Sequence, residues 1–275
     1  MDTRIILVYC LCDDLLKALN HREDPQCQIC DAEIMTIAIV AAHYFGGNYT
    51  LSRTFLKEQG YPSTEGLGKS RFSRRLNRIS PHFLTLFKVL AEMWKDLNED
   101  GIYIVDTFPV AVCDNIRIGR CKLYQGEEYR GYTASKKRYF YGLKIHMMIT
   151  KDGQPVECFL TCGAFSDTSG LEVFDFDLPK GSVVIGDKAY NYYAIEDQLR
   201  AFGIKLRPIR KKNSLRQLPP WIGYLQHHYR KMVETTGSMI QRLLPKSIHA
   251  TNAECFELKV FLFSLAPSIN CIQWA

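Results

Sequence analysis

The hydrophobic positions follow two different periods, and the change comes near residue 100. Up to about residue 98 they recur at helical spacing. The run Ile5–Cys12 continues at Leu15, Leu16 and Leu19, which predicts a packed first helix. Asp31 is read as the N-cap of a helix through Ile34, Ile37, Ile39 and Ala42 that stops at Gly46-Gly47. Another helix runs from Leu51 to Gln59 and ends at Gly60 and Pro62. The next follows Gly66-Leu67-Gly68, with Phe72, Leu76 and Ile79 on one face and Lys69, Arg71, Arg74, Arg75 and Arg78 on the rest. Pro81 is expected to close it. An amphipathic helix from Phe83 to about Leu97 then leads into the turn Asn98-Glu99-Asp100-Gly101.

Beyond Gly101 strands alternate with helices. Ile102–Asp106 reads as a buried strand, and Tyr139–Thr150 alternates, with Tyr141, Leu143, Ile145, Met147 and Ile149 on one face and Lys144 and His146 on the other. The turn at Lys151–Pro155 into Val156–Cys162 predicts an antiparallel hairpin. Val183–Asp187 is the next strand, Ala189–Phe202 a helix closed by Gly203, and Ile204–Ile209 a further strand. Pro219-Pro220 mark a break before a helix from about Tyr224, and Glu254–Leu265 forms the last helix. This order fits an α/β class: an RNase H-like mixed sheet flanked by helices, preceded by an all-helical N-terminal region. The expected division is a helical DNA-binding region over 1–98 and a catalytic domain over 99–275.

Composition narrows the picture. The 275 residues are 47% hydrophobic and 23% charged, which excludes a disordered chain. No stretch is apolar for the length of a membrane span, so a cytoplasmic protein without a membrane partner is expected. The net charge of +6 favours a polyanionic partner mildly. Ten cysteines are scattered from Cys10 to Cys271. Cys27 and Cys30 have knuckle spacing, and with Cys10 and Cys12 they offer a zinc-module alternative. No second ligand pair completes that set, so reduced thiols are the preferred reading.

The candidate chemistry lies in three acids. Asp106 and Asp187 each end an apolar run, and Glu234 sits on the helix-like stretch His227–Glu234. A buried strand-end carboxylate needs a counter-charge, and neither strand supplies one. A divalent cation would, and Mg²⁺ suits oxygen ligands. The ordinary alternatives are turn-initiating aspartates and a surface ion pair of Glu234 with Arg230 or Lys231. On the functional reading Arg230, one turn before Glu234, meets a DNA phosphate. Two basic stretches are further DNA candidates, each without a balancing acid in its own run. One is the helix with Lys69, Arg71, Arg74, Arg75 and Arg78; the other contains Arg210, Lys211 and Lys212. Asp167 is read first as a helix cap.

Four segments resemble the DDE transposases of bacterial insertion sequences: Ile102–Val110, Tyr141–His146, Val184–Tyr190 and Tyr229–Glu234. The likeness spans about residues 102–265. It implies that Asp106, Asp187 and Glu234 form the catalytic, metal-binding triad, and that Arg230 is the arginine of the glutamate signature. It further implies Mg²⁺, with Mn²⁺ as its expected substitute, and cleavage and strand transfer on double-stranded DNA comprising the element's terminal inverted repeats and its target. A homodimer bridging two ends is the implied assembly. The chain departs from the family at His227 and Gln241, where relatives often carry tyrosine and lysine. The rival readings are a metal-dependent nuclease of the same fold without strand transfer, and a silent DNA-binding descendant.

Overall fold

The structure, a computed structural model, describes residues 2–61, 67–133, 137–245 and 248–272. Its helices in chain order are α1 (Asp2–Ala18), α2 (Asp31–Tyr44), α3 (Tyr49–Glu58), α4 (Lys69–Leu97), α5 (Asp167–Gly170), α6 (Tyr193–Ala201), α7 (Pro220–Leu243) and α8 (Ala253–Asn270). Its strands are β1 (Ile102–Asp114), β2 (Arg130–Thr133), β3 (Arg138–Thr150), β4 (Pro155–Cys162), β5 (Val183–Gly186) and β6 (Lys205–Pro208). Pro62 and Gly66, read from the sequence as bounding helices, lie outside the described residues.

The chain divides into two compact units, Met1–Leu90 with Ile240–Ala275, and Ala91–Met239. This differs from the division after residue 98, because α8 packs on α2. The reason lies in α2, which is buried almost continuously from Ala32 to Ala42. A helix apolar all round needs neighbours on every side, and α1, α3 and α8 provide them. Ile5, Val8, Cys12, Leu15 and Leu16 form the buried face of α1. No described helix is long and apolar enough to cross a membrane.

Of the helix boundaries that depart from the sequence reading, two have a visible side-chain cause. Cys30, not Asp31, caps α2: its Sγ accepts from the Glu33 N–H at 3.4 Å, and the Glu33 carboxylate accepts from the Cys30 N–H at 2.6 Å. Pro81 lies inside α4 rather than closing a helix. A proline there leaves the carbonyl of Asn77 without its helical donor. The Ser80 hydroxyl donates to that carbonyl at 2.8 Å, so the helix continues.

The second unit is built on a six-stranded mixed sheet. β4, β3 and β1 run antiparallel to their neighbours, and β1, β5 and β6 run parallel. The strand order and directions are those of the expected RNase H-like sheet, with β2 added along the end of β3. β1 does not stop at Asp106. Its pairing with β3 runs from Tyr103↔Thr150 to Asp114↔Phe140, whereas β5 accompanies it only from Ile102 to Ile104. Asp106 therefore lies within a strand that has lost its parallel neighbour. By the alternation of the ladder, the missing N–H of Pro109 falls on that open side, where nothing requires it. The alternation of β3 does not mark a wet face either, since His146 is fully buried.

Candidate active site

The parallel ladder positions the two aspartates. Ile102, Tyr103 and Ile104 pair with Val183, Val184 and Ile185. Two residues further on, the same register sets Asp106 level with Asp187, which is still extended at φ −77° and ψ −173°. Alternation puts both side chains on one face of the sheet. Each is oriented by nearby backbone: Asp106 Oδ1 accepts from the Thr107 N–H at 2.9 Å, and Asp187 Oδ1 from the Ala189 N–H at 2.6 Å. Asp187 thereby caps the 3-10 turn Lys188–Tyr190.

The third acid comes from α7, which crosses the face that carries Asp106. Gly237 of α7 packs so closely on Phe108, two residues beyond Asp106 in β1, that a Cβ there would lie 2.3 Å from the ring. Glu234 precedes Gly237 by three residues and therefore shares its side of the helix. It is exposed. The backbone of Arg230 lies one turn earlier in α7, and its side chain lies outside the described residues.

The reverse face carries a polar network that sequence reasoning did not single out. Thr107 Oγ1 lies 2.9 Å from the Tyr190 hydroxyl and 3.1 Å from His146 Nδ1, and His146 Nε2 lies 2.9 Å from Thr161 Oγ1. Burial pushes the His146 imidazole down to about 4, so the ring is neutral near pH 7. One ring nitrogen then donates and the other accepts. Burial, and next the carboxylates of Asp106, Asp167 and Asp187, hold the Tyr190 phenol well above the usual tyrosine range. Asp167 is not the cap of α5; Ser166 is, and Asp167 pairs with Lys144 at 3.1 Å. Thr107, His146 and Tyr190 all stand in the segments that carry the family resemblance. The available signals were the hydroxyl directly after Asp106 and the tyrosine three residues after Asp187.

The basic residues divide into two kinds. Lys69, Arg71, Arg74 and Arg78 are exposed on α4, and Lys211 and Lys212 are exposed after β6. Arg71, Arg74, Arg75 and Arg78 line a cleft of about 670 Å³ beside the segment Asp24–Ile29. Arg75 and Arg210, however, are held by acids distant in sequence. Arg75 is 12% exposed and grips the fully buried Asp31 through Nε at 3.0 Å and through Nη2. Arg210 is 9% exposed and is bidentate to the buried Glu196. The absence of an acid within each basic run was therefore no guide to pairing.

A family model described as the transposase DDE domain matches residues 97–249, more than half of the chain. The chain belongs to this family. The transposase is also similar to solved structures, among them two of transposase complexes. One is a cryo-EM structure of the piggyBac transposase synaptic complex with hairpin DNA: 10% identity, 96% of this chain and 74% of that chain covered, TM-score 0.45. The other is the Mos1 transposase paired-end complex with left transposon end: 9% identity, 83% and 82% covered, TM-score 0.26. No curated protein matches the chain.

A DDE domain implies the use of a divalent metal. The donors in the transposase fit one: Asp106 and Asp187 offer hard oxygen ligands, level and on one face. The three carboxylates do not all lie within 4.8 Å of one another; among the described residues His21, Glu23 and Asp31 do. Those three already have a cation, since the Arg75 guanidinium lies against Asp31 and 3.6 Å from Glu23. They are an ion-pair cluster. Of the four cysteines of the zinc alternative, Cys12 is buried and Cys30 caps α2.

Proposed function

We propose that this transposase cuts DNA at the ends of a bacterial insertion sequence and joins the freed ends to target DNA, with Asp106, Asp187 and Glu234 as its metal-binding triad. The observation that carries the reading is the parallel register that sets Asp106 level with Asp187 in a DDE domain. Mg²⁺ is the proposed ion, with Mn²⁺ as a substitute, because the ligands are all carboxylate oxygens. When bound, a pair of such ions supplies Lewis-acid activation of the attacking oxygen and charge neutralisation at the leaving 3′-oxygen.

The remaining work falls to the chain. Backbone N–H groups orient Asp106 and Asp187 before any ligand arrives, so little reorganisation accompanies binding. Glu234 approaches from α7 and completes the set, and Arg230 engages a phosphate beside the scissile bond. No serine, tyrosine or cysteine is assigned as nucleophile, because water and then the freed 3′-hydroxyl suffice. Lys69, Arg71, Arg74 and Arg78 are assigned to the DNA backbone, with Lys211 and Lys212 as a second contact. Arg75 and Arg210 support those surfaces structurally. The assembly proposed is a homodimer holding two element ends.

The test is cleavage and strand transfer on linear DNA carrying the element's ends, with Mg²⁺ and with EDTA. Wild type is run beside Asp106→Ala, Asp187→Ala and Glu234→Ala. Metal-dependent joining lost in all three variants is expected. Cleavage without joining would instead assign a nuclease, and activity in Glu234→Ala would remove that residue from the triad.

A further inference from the structure

The ladder between β1 and β5 ends at Ile104 and Ile185, two residues short of the acids. Backbone pairing between these strands therefore does not fix the gap between Asp106 and Asp187. One tie between the strands at that level lies on the opposite face. Thr107, directly after Asp106, projects there by alternation. The Tyr190 ring folds back over Gly186, directly before Asp187, where a Cβ would come within 2.8 Å of it. The Tyr190 hydroxyl then meets Thr107 Oγ1 at 2.9 Å and closes a link from one acid-bearing strand to the other.

This link is itself held in place. His146 reaches Thr107 Oγ1 through Nδ1 at 3.1 Å and Thr161 through Nε2 at 2.9 Å. The imidazole stacks on Phe159 at 4.8 Å between centroids and 5° between planes. Gly170 makes room for it, since a Cβ there would lie 2.5 Å from Nδ1. The Thr168 hydroxyl donates to the Ala189 carbonyl at 2.8 Å, which fastens α5 to the turn carrying Tyr190. Tyr190 and His146 are buried and Thr107 is half-buried. A rotamer change in any of them would disturb the rest of the packing.

We propose that Thr107, Tyr190 and His146 form a brace on the reverse face of the sheet that sets the separation of Asp106 and Asp187 for divalent-cation binding. They are positioning residues, and none of them ligates the metal. The proposal rests on the reading of Asp106 and Asp187 as metal ligands. Partners bonded directly to a metal's ligands change its affinity about 10–100-fold when removed, and a brace that acts through the strands is expected at the lower end of that range, about 10-fold.

The experiment measures Mn²⁺ affinity of the full chain without DNA, by the loss of the free-ion electron paramagnetic resonance signal on titration. Thermal melts are recorded on the same samples. Tyr190→Phe and Thr107→Val each delete one hydroxyl at nearly constant volume, and Thr107→Ser restores the hydroxyl. Expected is an affinity loss of about 10-fold or more in Tyr190→Phe and Thr107→Val, with Thr107→Ser within about twofold of wild type. Asp106→Asn and Asp187→Asn are expected to lose binding altogether. Wild-type affinity in Tyr190→Phe and Thr107→Val, beside loss in the two aspartate variants, would overturn the brace alone. Wild-type affinity in the aspartate variants would overturn the metal-site reading and the brace with it. If Thr107→Val does not fold, Tyr190→Phe decides, since it removes a single oxygen and leaves the ring over Gly186.

Discussion

Arg75 offers a sharp separation between a DNA contact and a structural cation. Its guanidinium donates to Asp31 through Nε and Nη2 and to the Ile29 carbonyl through Nη1. Asp31 is fully buried, so removing Arg75 leaves a carboxylate in the core. Two other groups remain beside it: His21 Nε2 at 2.8 Å, and Arg78 at 3.4 Å, whose side chain is 58% exposed. Breaking a buried pair from one side costs about 3–5 kcal/mol. With two partners remaining, the lower end is expected for Arg75→Ala, about 3 kcal/mol. That corresponds to a fall in melting temperature of roughly 10 °C. The assay is thermal unfolding followed by circular dichroism, beside DNA binding measured over a series of salt concentrations. Arg74→Ala, an exposed neighbour on α4, is expected to do the reverse: unchanged melting and weaker, less salt-dependent binding. If Arg75→Ala melts within about 2 °C of wild type and its salt slope drops by about one, the assignment is wrong and Arg75 is a phosphate contact.

Three further outcomes are expected. Lys211→Ala combined with Lys212→Ala lowers the salt slope of DNA binding by about 1.8 while melting stays unchanged, whereas Arg210→Ala lowers stability by about 3 kcal/mol or more through Glu196. Gly237→Ala drives a methyl into Phe108, costs about 1–3 kcal/mol and reduces cleavage; Phe108→Leu in the same chain restores part of both, measured by melting and by the end-cleavage assay. Burial pushes the Glu157 carboxyl up to about 7, against the N–H bond it accepts from Asp175 at 2.6 Å. Because its folded value is raised, its stability contribution is complete below the ordinary glutamate range and is lost as pH rises through about 7. Melting temperature should therefore fall between pH 5 and pH 8, and Glu157→Gln should flatten that slope.

The element order of the second unit was legible because each strand and helix has a local signature. The start of β1 at Ile102, the run of β5 before Asp187, the turn at Lys151–Pro155 and the glycine after α6 all mark real boundaries. What escaped depends on residues far apart in the chain. Nothing near Asp106 shows that β3 carries β1 on to Asp114, because the partner supplies the pairing. Pro81 reads as a stop until the Ser80 hydroxyl is seen on Asn77. Arg75 and Arg210 look available until Asp31 and Glu196 are placed against them. His146 looks like the polar side of an amphipathic strand, and only the fold shows Phe159, Thr161 and Thr107 enclosing it. Charge marks Asp106, Asp187 and Glu234 locally, whereas the hydrogen bonds among Thr107, Tyr190 and His146 exist only once the sheet has formed.

The parallel pairing of β1 with β5 also sets when in folding the two aspartates can meet. β3 and β4 are joined by a tight turn and pair locally, and β1 can add to β3 as soon as both exist. β5 arrives from far along the chain, across all of β2, β3, β4 and α5, and must close that long loop before its first rung forms. Non-local parallel pairings of this kind are intrinsically slow to form. Until β5 exists, a nascent chain can pair β3 with β4 but has no strand to bring Asp187 level with Asp106. Asp106 and Asp187 come level only after β5 has been made and docked, so on the proposed reading an unfinished chain is spared a preformed cutting centre.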